Sequence, residues 1–203
     1  MNIGDVNNFL GDMDIELMDQ VLKGSFEDCE RVLEIGCGQG RNLIYFMKEG
    51  FTVYGIDNDN SAIDLCNYIS NELNASENAK FSKQNASSLS FNDAFFDAVI
   101  CSRVLHFADS LEQFKANWAE QHRVLRQRGM LFLTMDSNIG LDIACEAIGN
   151  WKWKLPDESV RFLLTPELLA ELDIERDYEW LEPLKTVNFN SRHGQAVIVL
   201  QKK

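Results

Sequence analysis

Short runs of contiguous apolar residues alternate along this chain with stretches in which apolar residues recur every three or four positions. The first pattern suits strands buried on both faces, the second amphipathic helices. DIELMDQVLKG sets Ile15, Met18 and Leu22 on one helical face, with Gly24 placed to cap the end. RVLEI (31–35) reads as a first strand, NLIYFMKEG (42–50) as a helix ending at Gly50, and TVYGI (52–56) as a second strand. SAIDLCNYISNEL then puts Ala62, Leu65, Cys66, Ile69 and Leu73 on one face. AKFSKQ (79–84) and FFDAVICS (95–102) are the third and fourth strands. SLEQFKANWAEQHRVL opens with Ser110 and Gln113 at capping-box spacing and carries the stripe Leu111, Phe114, Trp118 and Leu125. GMLFLTM (129–135) is a fifth strand. Thr165 is placed to cap a helix with Pro166 at its first position. LKTVNF and QAVIVL close the chain as a strand pair around the turn NSRHG.

This alternation predicts an α/β fold whose parallel sheet is covered on both faces. No internal repeat or shift in composition marks a boundary, so residues 1–203 are expected to form one domain. Its expected parts are an N-terminal helix or cap (1–28), a core (30–135), and a C-terminal helix and strand pair (165–203). Residues 136–164, rich in Trp, Lys, Pro and Asp, break the alternation. They exceed an ordinary connection and are expected to form a lid or a substrate-selecting insertion.

The stretch VLEIGCGQGRN (32–42) asks for a ligand. Gly36, Gly38 and Gly40 stand on alternate positions where the first strand ends, which is where ligands bind in an open parallel sheet. A helix starting near Arg41 would offer free N–H groups to a polar or anionic ligand. A dinucleotide loop would need its third glycine at position 41, which is Arg41. Asp57, at the end of the second strand, is placed to accept two hydrogen bonds from a ribose diol, though it also suits a turn before the next helix.

Charge and cysteine narrow the class. Nineteen Lys and Arg against 32 Asp and Glu leave a formal net charge of −13, which disfavours a nucleic-acid partner. Cys29, Cys37, Cys66, Cys101 and Cys145 are scattered and odd in number, so neither a disulfide framework nor a metal site is expected. No secretory signal and no membrane-length apolar run is visible, and a cytoplasmic location is expected. Nothing in the sequence bears on oligomeric state.

VLEIGCGQG, VYGIDND, and FDAVICSRVLHF followed by RVLRQRGMLFLT resemble, in order and spacing, the successive motifs of class I S-adenosylmethionine-dependent methyltransferases. The GQGRN variant is similar to that of the small tellurite-resistance-type enzymes. The resemblance implies a Rossmann-like doubly wound sheet of seven strands, six parallel and the last antiparallel. It also implies S-adenosyl-L-methionine as cofactor and S-adenosyl-L-homocysteine as product. By position, Glu34, Gly36, Cys37, Gly38 and Gly40 would line the methionine half of the cofactor, with Arg41 and Asn42 at the same loop. Asp57 would hold the ribose hydroxyls, with Asn58 beside the adenine, and Ser102 would sit under the methionine. The pattern often has an acidic residue at position 85 to accept the adenine amino group. Here Asn85 offers a side-chain carbonyl, with the backbone near Ala86 beside it.

Methyl transfer from a sulfonium asks the protein mainly for alignment and exclusion of water. A base is needed only where the acceptor must lose a proton. His106 is the candidate base, or else a packing histidine before the next helix. Arg103, like Arg41, suits a carboxylate or an anionic substrate, or a surface ion pair. Trp151 and Trp153 could wall off a substrate or pack the loop. Arg192 and His193 are substrate contacts or plain turn residues. The expected function is methylation of a small-molecule acceptor, with no nucleic-acid or membrane partner. A protein methyltransferase, a non-catalytic cofactor-binding partner subunit and a nicotinamide-dependent reductase are the alternatives.

Overall fold

The structure, a computed structural model, describes residues 9–140, 144–189 and 193–203. Its elements run α1 (Ile15–Leu22), β1 (Arg31–Ile35), α2 (Ile44–Lys48), β2 (Thr52–Asp57), α3 (Asn60–Glu72), β3 (Ala79–Lys83) and β4 (Phe96–Ser102). A 3₁₀ turn (Leu105–Phe107) leads to α4 (Leu111–Val124), β5 (Leu125–Asp136), β6 (Glu146–Gly149), β7 (Lys152–Lys154) and β8 (Val160–Phe162). The chain ends with α5 (Pro166–Glu171), α6 (Ile174–Asp177), β9 (Tyr178–Trp180), β10 (Lys185–Phe189) and β11 (His193–Lys202).

The main sheet has the order β10-β11-β5-β4-β1-β2-β3. The pairs from β5 through β3 are parallel, and β11 is antiparallel to both β5 and β10. The expected mostly parallel sheet with an antiparallel C-terminal strand is therefore present. The order reverses between β1 and β4, so a crevice opens at their carboxyl ends. Period-two burial divides the core. Leu33, Val99 and Leu131 face one side with Phe114 and Leu168, while Val32, Ile100 and Phe132 face the other with Leu17 and Phe46. Every central strand is thus buried twice, which explains its contiguous apolar run.

Three expectations are corrected. The sheet has an eighth strand, because the sixth strand of the seven-stranded pattern is broken in two. β9 pairs with Leu200–Lys202 and β10 with His193–Val197, both on the same edge of β11. Pro183, which has no N–H for a ladder, lies in the gap. Residues 136–164, where the sequence shows no strand pattern, contain a three-stranded antiparallel sheet of β6, β7 and β8. Finally, the helix expected over 42–50 shrinks to Ile44–Lys48, since residues 41–43 are still turning out of the glycine loop.

Candidate active site

The glycine loop leaves β1 with Gly36 at φ +69° and Gly40 at φ +74°, in the left-handed region that side chains rarely adopt. A Cβ on Gly36 would stand 2.4 Å from Val104 Cγ2. The loop and the segment after β4 therefore approach as closely as they do only through glycine. The Gly38 N–H donates to Asp57 Oδ2 at 2.9 Å, and the Asp59 N–H donates to Asp57 Oδ1 at 3.0 Å. Two backbone donors thus fix the Asp57 carboxylate at the crevice, leaving a lone pair on each oxygen.

Glu34 is buried on β1, where its Oε1 accepts from Asn42 Nδ2 at 2.6 Å and its Oε2 has no partner. Burial pushes its carboxyl up to about 8, against the opposing bond from Asn42. Asn42 Oδ1 in turn accepts from the Asp14 N–H at 2.9 Å. Ser102 Oγ donates to Asp14 Oδ2 at 3.0 Å and lies 3.2 Å from Thr134 Oγ1. Asp14 also caps α1, its Oδ1 accepting from the Glu16 N–H at 2.9 Å. One carboxylate therefore ties the N-terminal helix to the ends of β4 and β5. Arg41 belongs to the same corner, donating to the Asp12 carbonyl at 2.9 Å with a guanidinium nitrogen 3.8 Å from Asp14 Oδ2.

Over this crevice lies a cavity of about 350 Å³. Of the residues expected from sequence, Gly36, Asp57, Asn58, Asn85, Ala86, Ser102 and Arg103 line it. Glu34, Cys37, Gly38, Gly40, Arg41 and Asn42 do not. The last two and Glu34 belong to the network beside it. Cys37 is buried with its sulfur 3.8 Å from Cys66 Sγ, and the Gly38 N–H is spent on Asp57. Sequence reasoning missed Ile56, Gln84, Val104, Phe107, Ala108, Gln113 and Asn117, which complete the wall, and Asp14 in the network. The expected adenine acceptor is also altered: Asn85 Oδ1 already accepts from the Ser87 N–H at 2.9 Å and from Ser87 Oγ at 2.8 Å.

The acceptor side differs from expectation as well. His106 is 3% exposed and is not among the lining residues. Its Nδ1 has no hydrogen bond and stands 3.6 Å from Asp136 Oδ2. Burial, aided by the charges of Arg161, Arg103 and His193, pulls its pKa down to about 3. A neutral imidazole held so low is a weak base, so its expected role as the base is revised to packing. Trp151 stacks on Phe162 at 6.5 Å between centroids, and Trp153 lines a separate open groove with Lys152 and Glu167. Neither tryptophan lines the 350 Å³ cavity. His193 stacks on Phe189 at 4.6 Å, while Arg192 lies outside the described residues. Arg161, which was not expected, lies over the Phe107 ring at 5.1 Å with its Nε 3.4 Å from Asp136 Oδ2. Among the described residues, no group of three or more His, Cys, Asp or Glu is placed to hold a metal ion.

A family model described as a methyltransferase domain matches residues 33–133, the span from β1 through most of β5. The chain belongs to the class I S-adenosylmethionine-dependent methyltransferase superfamily. Its cofactor is S-adenosyl-L-methionine. The chain is similar to the ubiquinone biosynthesis O-methyltransferase of Rickettsia bellii (strain OSU 85-389), 25% identical over 185 residues that cover 87% of this chain and 73% of the relative. It shares its fold with the [4+2]-cyclase SpnF at TM-score 0.72 and 19% identity, covering 92% of this chain and 80% of that one. It shares it also with the 1,6-didemethyltoxoflavin-N1-methyltransferase of Burkholderia thailandensis, solved with its substrate and S-adenosylhomocysteine, at TM-score 0.70 and 18% identity, covering 98% of this chain and 83% of that one. The residues present fit a methyltransferase cofactor on their own account. Asp57 keeps two free lone pairs at the cavity wall, Glu34 Oε2 is an orphaned buried acceptor, and the loop at Gly36 leaves no room for a Cβ.

Proposed function

We propose that this methyltransferase acts on a small-molecule acceptor, which approaches the cavity over Arg103 and Phe107. The observation that carries this reading is what stands beside the mouth of the cofactor cavity. A cavity of about 350 Å³ is at the small end of ligand sites. Beside its mouth, β8 packs on the 3₁₀ turn at Leu105–Phe107, and Arg161 covers Phe107. Among the described residues, the open groove lined by Trp153, Lys152 and Glu167 is separate from that mouth. The small-molecule acceptors named for the Rickettsia and Burkholderia relatives agree with it.

In this reading Asp57 accepts from both ribose hydroxyls, and Asn58, Asn85 and Ala86 flank the base. Ser102 and Gly36 hold the methionine half, and the buried Glu34–Asn42 pair supports the loop from behind. The cofactor supplies an activated methyl on a sulfonium, already joined to its leaving group. The chain's work is then geometric. It fixes the cofactor end to end, sets an acceptor in line, and keeps water out with Val104, Phe107 and Ala108. Alignment of this kind is worth about 7–11 kcal/mol of barrier. With His106 neutral and buried, the acceptor must arrive as an anion or a soft nucleophile, or lose its proton to solvent. Five free thiols suit a reducing, cytoplasmic setting.

The test is transfer of label. Purified protein is incubated with methyl-labelled S-adenosylmethionine and a cell extract, and the label is separated by molecular size. Label confined to the small-molecule fraction is the expected result. Label on protein would replace the acceptor class. Micromolar binding of S-adenosylhomocysteine with no transfer would leave a cofactor-binding partner or a different reaction on the same fold, as in the cyclase.

A further inference from the structure

Nineteen Lys and Arg face 32 Asp and Glu in this chain, so a guanidinium rarely lacks an acceptor. Arg41 donates to the Asp12 carbonyl, Arg123 to Glu120 and Asp93, Arg126 to Asp97 and Arg176 to Asp177, while Arg161 stands against Asp136. Arg31 lies over the Phe95 ring at 4.6 Å. Two guanidinium groups have no hydrogen-bond or ion-pair partner among the described residues, those of Arg103 and Arg128. Arg128 is exposed at the amino end of β5. Arg103 lines the cavity just past the carboxyl end of β4, its backbone pinned at φ +60° by the bond to Thr134.

The neighbours of Arg103 show where its charge stands. It acts on His106 and Asp136, as the charges of Arg161 and His193 do. It is not among the charges that act on Glu34, where Arg41 and Asp14 are. The guanidinium is therefore on the side of the β5 end and away from the methionine corner. Backbone pairing assembles that spot. Ser102 sits beside Thr134 across β4 and β5, the Ser137 N–H donates to the Gly194 carbonyl at 2.9 Å, and the Leu164 N–H donates to the Asp136 carbonyl at 2.9 Å. Arg103, Asp136, His193 and Arg161 are thus brought to one edge by the fold. Two carboxylates belong to it. Asp136 is buried with Arg161 Nε at 3.4 Å, and Asp157 is exposed and accepts from Ser159. Neither pairs with Arg103. Next to them Phe107 is 63% exposed, an apolar ring left open in the cavity wall.

We propose that the methyl acceptor is an organic anion, its carboxylate or phosphate held by the Arg103 guanidinium with Arg161 beside it, and its apolar body on the Phe107 ring. The inference rests on the small-molecule reading of this site and adds the charge class of the acceptor. A guanidinium presents a fork of N–H donors that matches two oxygens of a carboxylate or a phosphate. At Arg103 that fork is unspent. A chain of net charge −13 repels an anion at long range, so an anionic acceptor needs a local cationic contact to be held at all. Arg161 adds a second charge on the same edge, already anchored by Asp136 and by its place over Phe107.

The experiment separates the small molecules of a cell extract on a strong anion-exchange resin at neutral pH. Separation precedes the reaction, because a methyl ester formed later would have lost the charge. Flow-through and desalted eluate are each incubated with methyl-labelled S-adenosylmethionine and wild type, Arg103→Gln or Arg103→Lys. Thermal melts confirm that the variants are folded, and calorimetry gives the Kd of each for S-adenosylhomocysteine. Label should enter the eluate alone. Arg103→Gln should raise the KM for the eluate, read from its dilution series, on the order of tenfold, with the Kd for S-adenosylhomocysteine changed by less than about twofold. Arg103→Lys should recover part of the loss, since it keeps the charge without the fork. Phosphatase treatment of the eluate tells the two anions apart: a phosphate acceptor is lost and a carboxylate is kept. Label entering the flow-through, or an unchanged KM in Arg103→Gln, overturns the proposal and leaves the small-molecule reading intact. A parallel loss of S-adenosylhomocysteine affinity in Arg103→Gln also overturns it, because Arg103 would then hold the cofactor's own carboxylate. Label in neither fraction overturns the small-molecule reading and this proposal with it.

Discussion

At the scale of single residues, Glu34 is the group whose chemistry changes most on folding. Its carboxyl sits on a central strand with one oxygen bonded to Asn42 and the other without a partner. Arg41 opposes the upward shift, while Cys66 and Asp14 add to it. The unfolded carboxyl titrates near its ordinary value of 4.5 and the folded one near 8. Between those values the folded state holds a proton that the unfolded chain has lost. Stability attributable to Glu34 is therefore full below about pH 4.5 and falls as pH rises through 8. Glu34→Gln keeps the acceptor for Asn42 and removes the titration. The melting temperature of the variant should match wild type near pH 4.5 and exceed it by a growing margin toward pH 8.5. A constant difference across that range would remove Glu34 as the source. Arg103 is the other residue under constraint, held at φ +60° by its N–H donating to the Thr134 carbonyl at 2.8 Å. Backbone strain of this sort is tolerated where position matters, and here it sets a guanidinium on the cavity wall.

At the scale of elements, termini were legible where a side chain closes them. Ser110 Oγ accepts from the Gln113 N–H at 3.2 Å, and Thr165 Oγ1 accepts from the Leu168 N–H at 3.2 Å with Pro166 at the first helical position. Because Thr165 is buried, water cannot replace that bond. Thr165→Ala should cost about 1 kcal/mol, lowering the melting temperature by roughly 2–4 °C, and Thr165→Ser should recover most of it. An unchanged melting temperature in Thr165→Ala would mean that the cap contributes nothing. What escaped the sequence escaped for physical reasons. α2 starts late because a loop with three positive-φ glycines turns through residues 41–43, and Leu43 serves as the N-cap before Ile44. β6 is exposed throughout and β7 is half-buried on both faces, so neither strand carries an apolar alternation to read. Sequence spacing located the loop, Asp57 and Ser102, since each sits at a strand end. It could not show that Ser87 occupies Asn85, that Asp14 reaches Ser102 from 88 residues away, or that Asn117 lines a cavity. These depend on side-chain partners across the fold.

At the scale of the whole molecule, two stretches of chain do separate work. Every residue that lines the cavity falls between Gly36 and Asn117, on the β1–α4 half. The groups beside its mouth come from later: Asp136 at the end of β5, Arg161 on β8 and His193 at the start of β11. The two halves meet along β4 and β5, where Ser102 pairs with Thr134. In a chain with net charge −13, Arg103, Arg161 and His193 all act on the buried Asp136, and burial still raises its carboxyl against them. Arg161 both supports that carboxylate and covers Phe107. Arg161→Gln removes the charge while leaving residues 36–117 untouched. It should raise the KM of the labelled acceptor on the order of tenfold, and change the Kd for S-adenosylhomocysteine by less than about twofold. The contrast between the two constants is the informative quantity. A parallel loss of cofactor affinity would show that β8, through Phe107, shapes the cofactor cavity itself, and that the acceptor side cannot be varied independently of it.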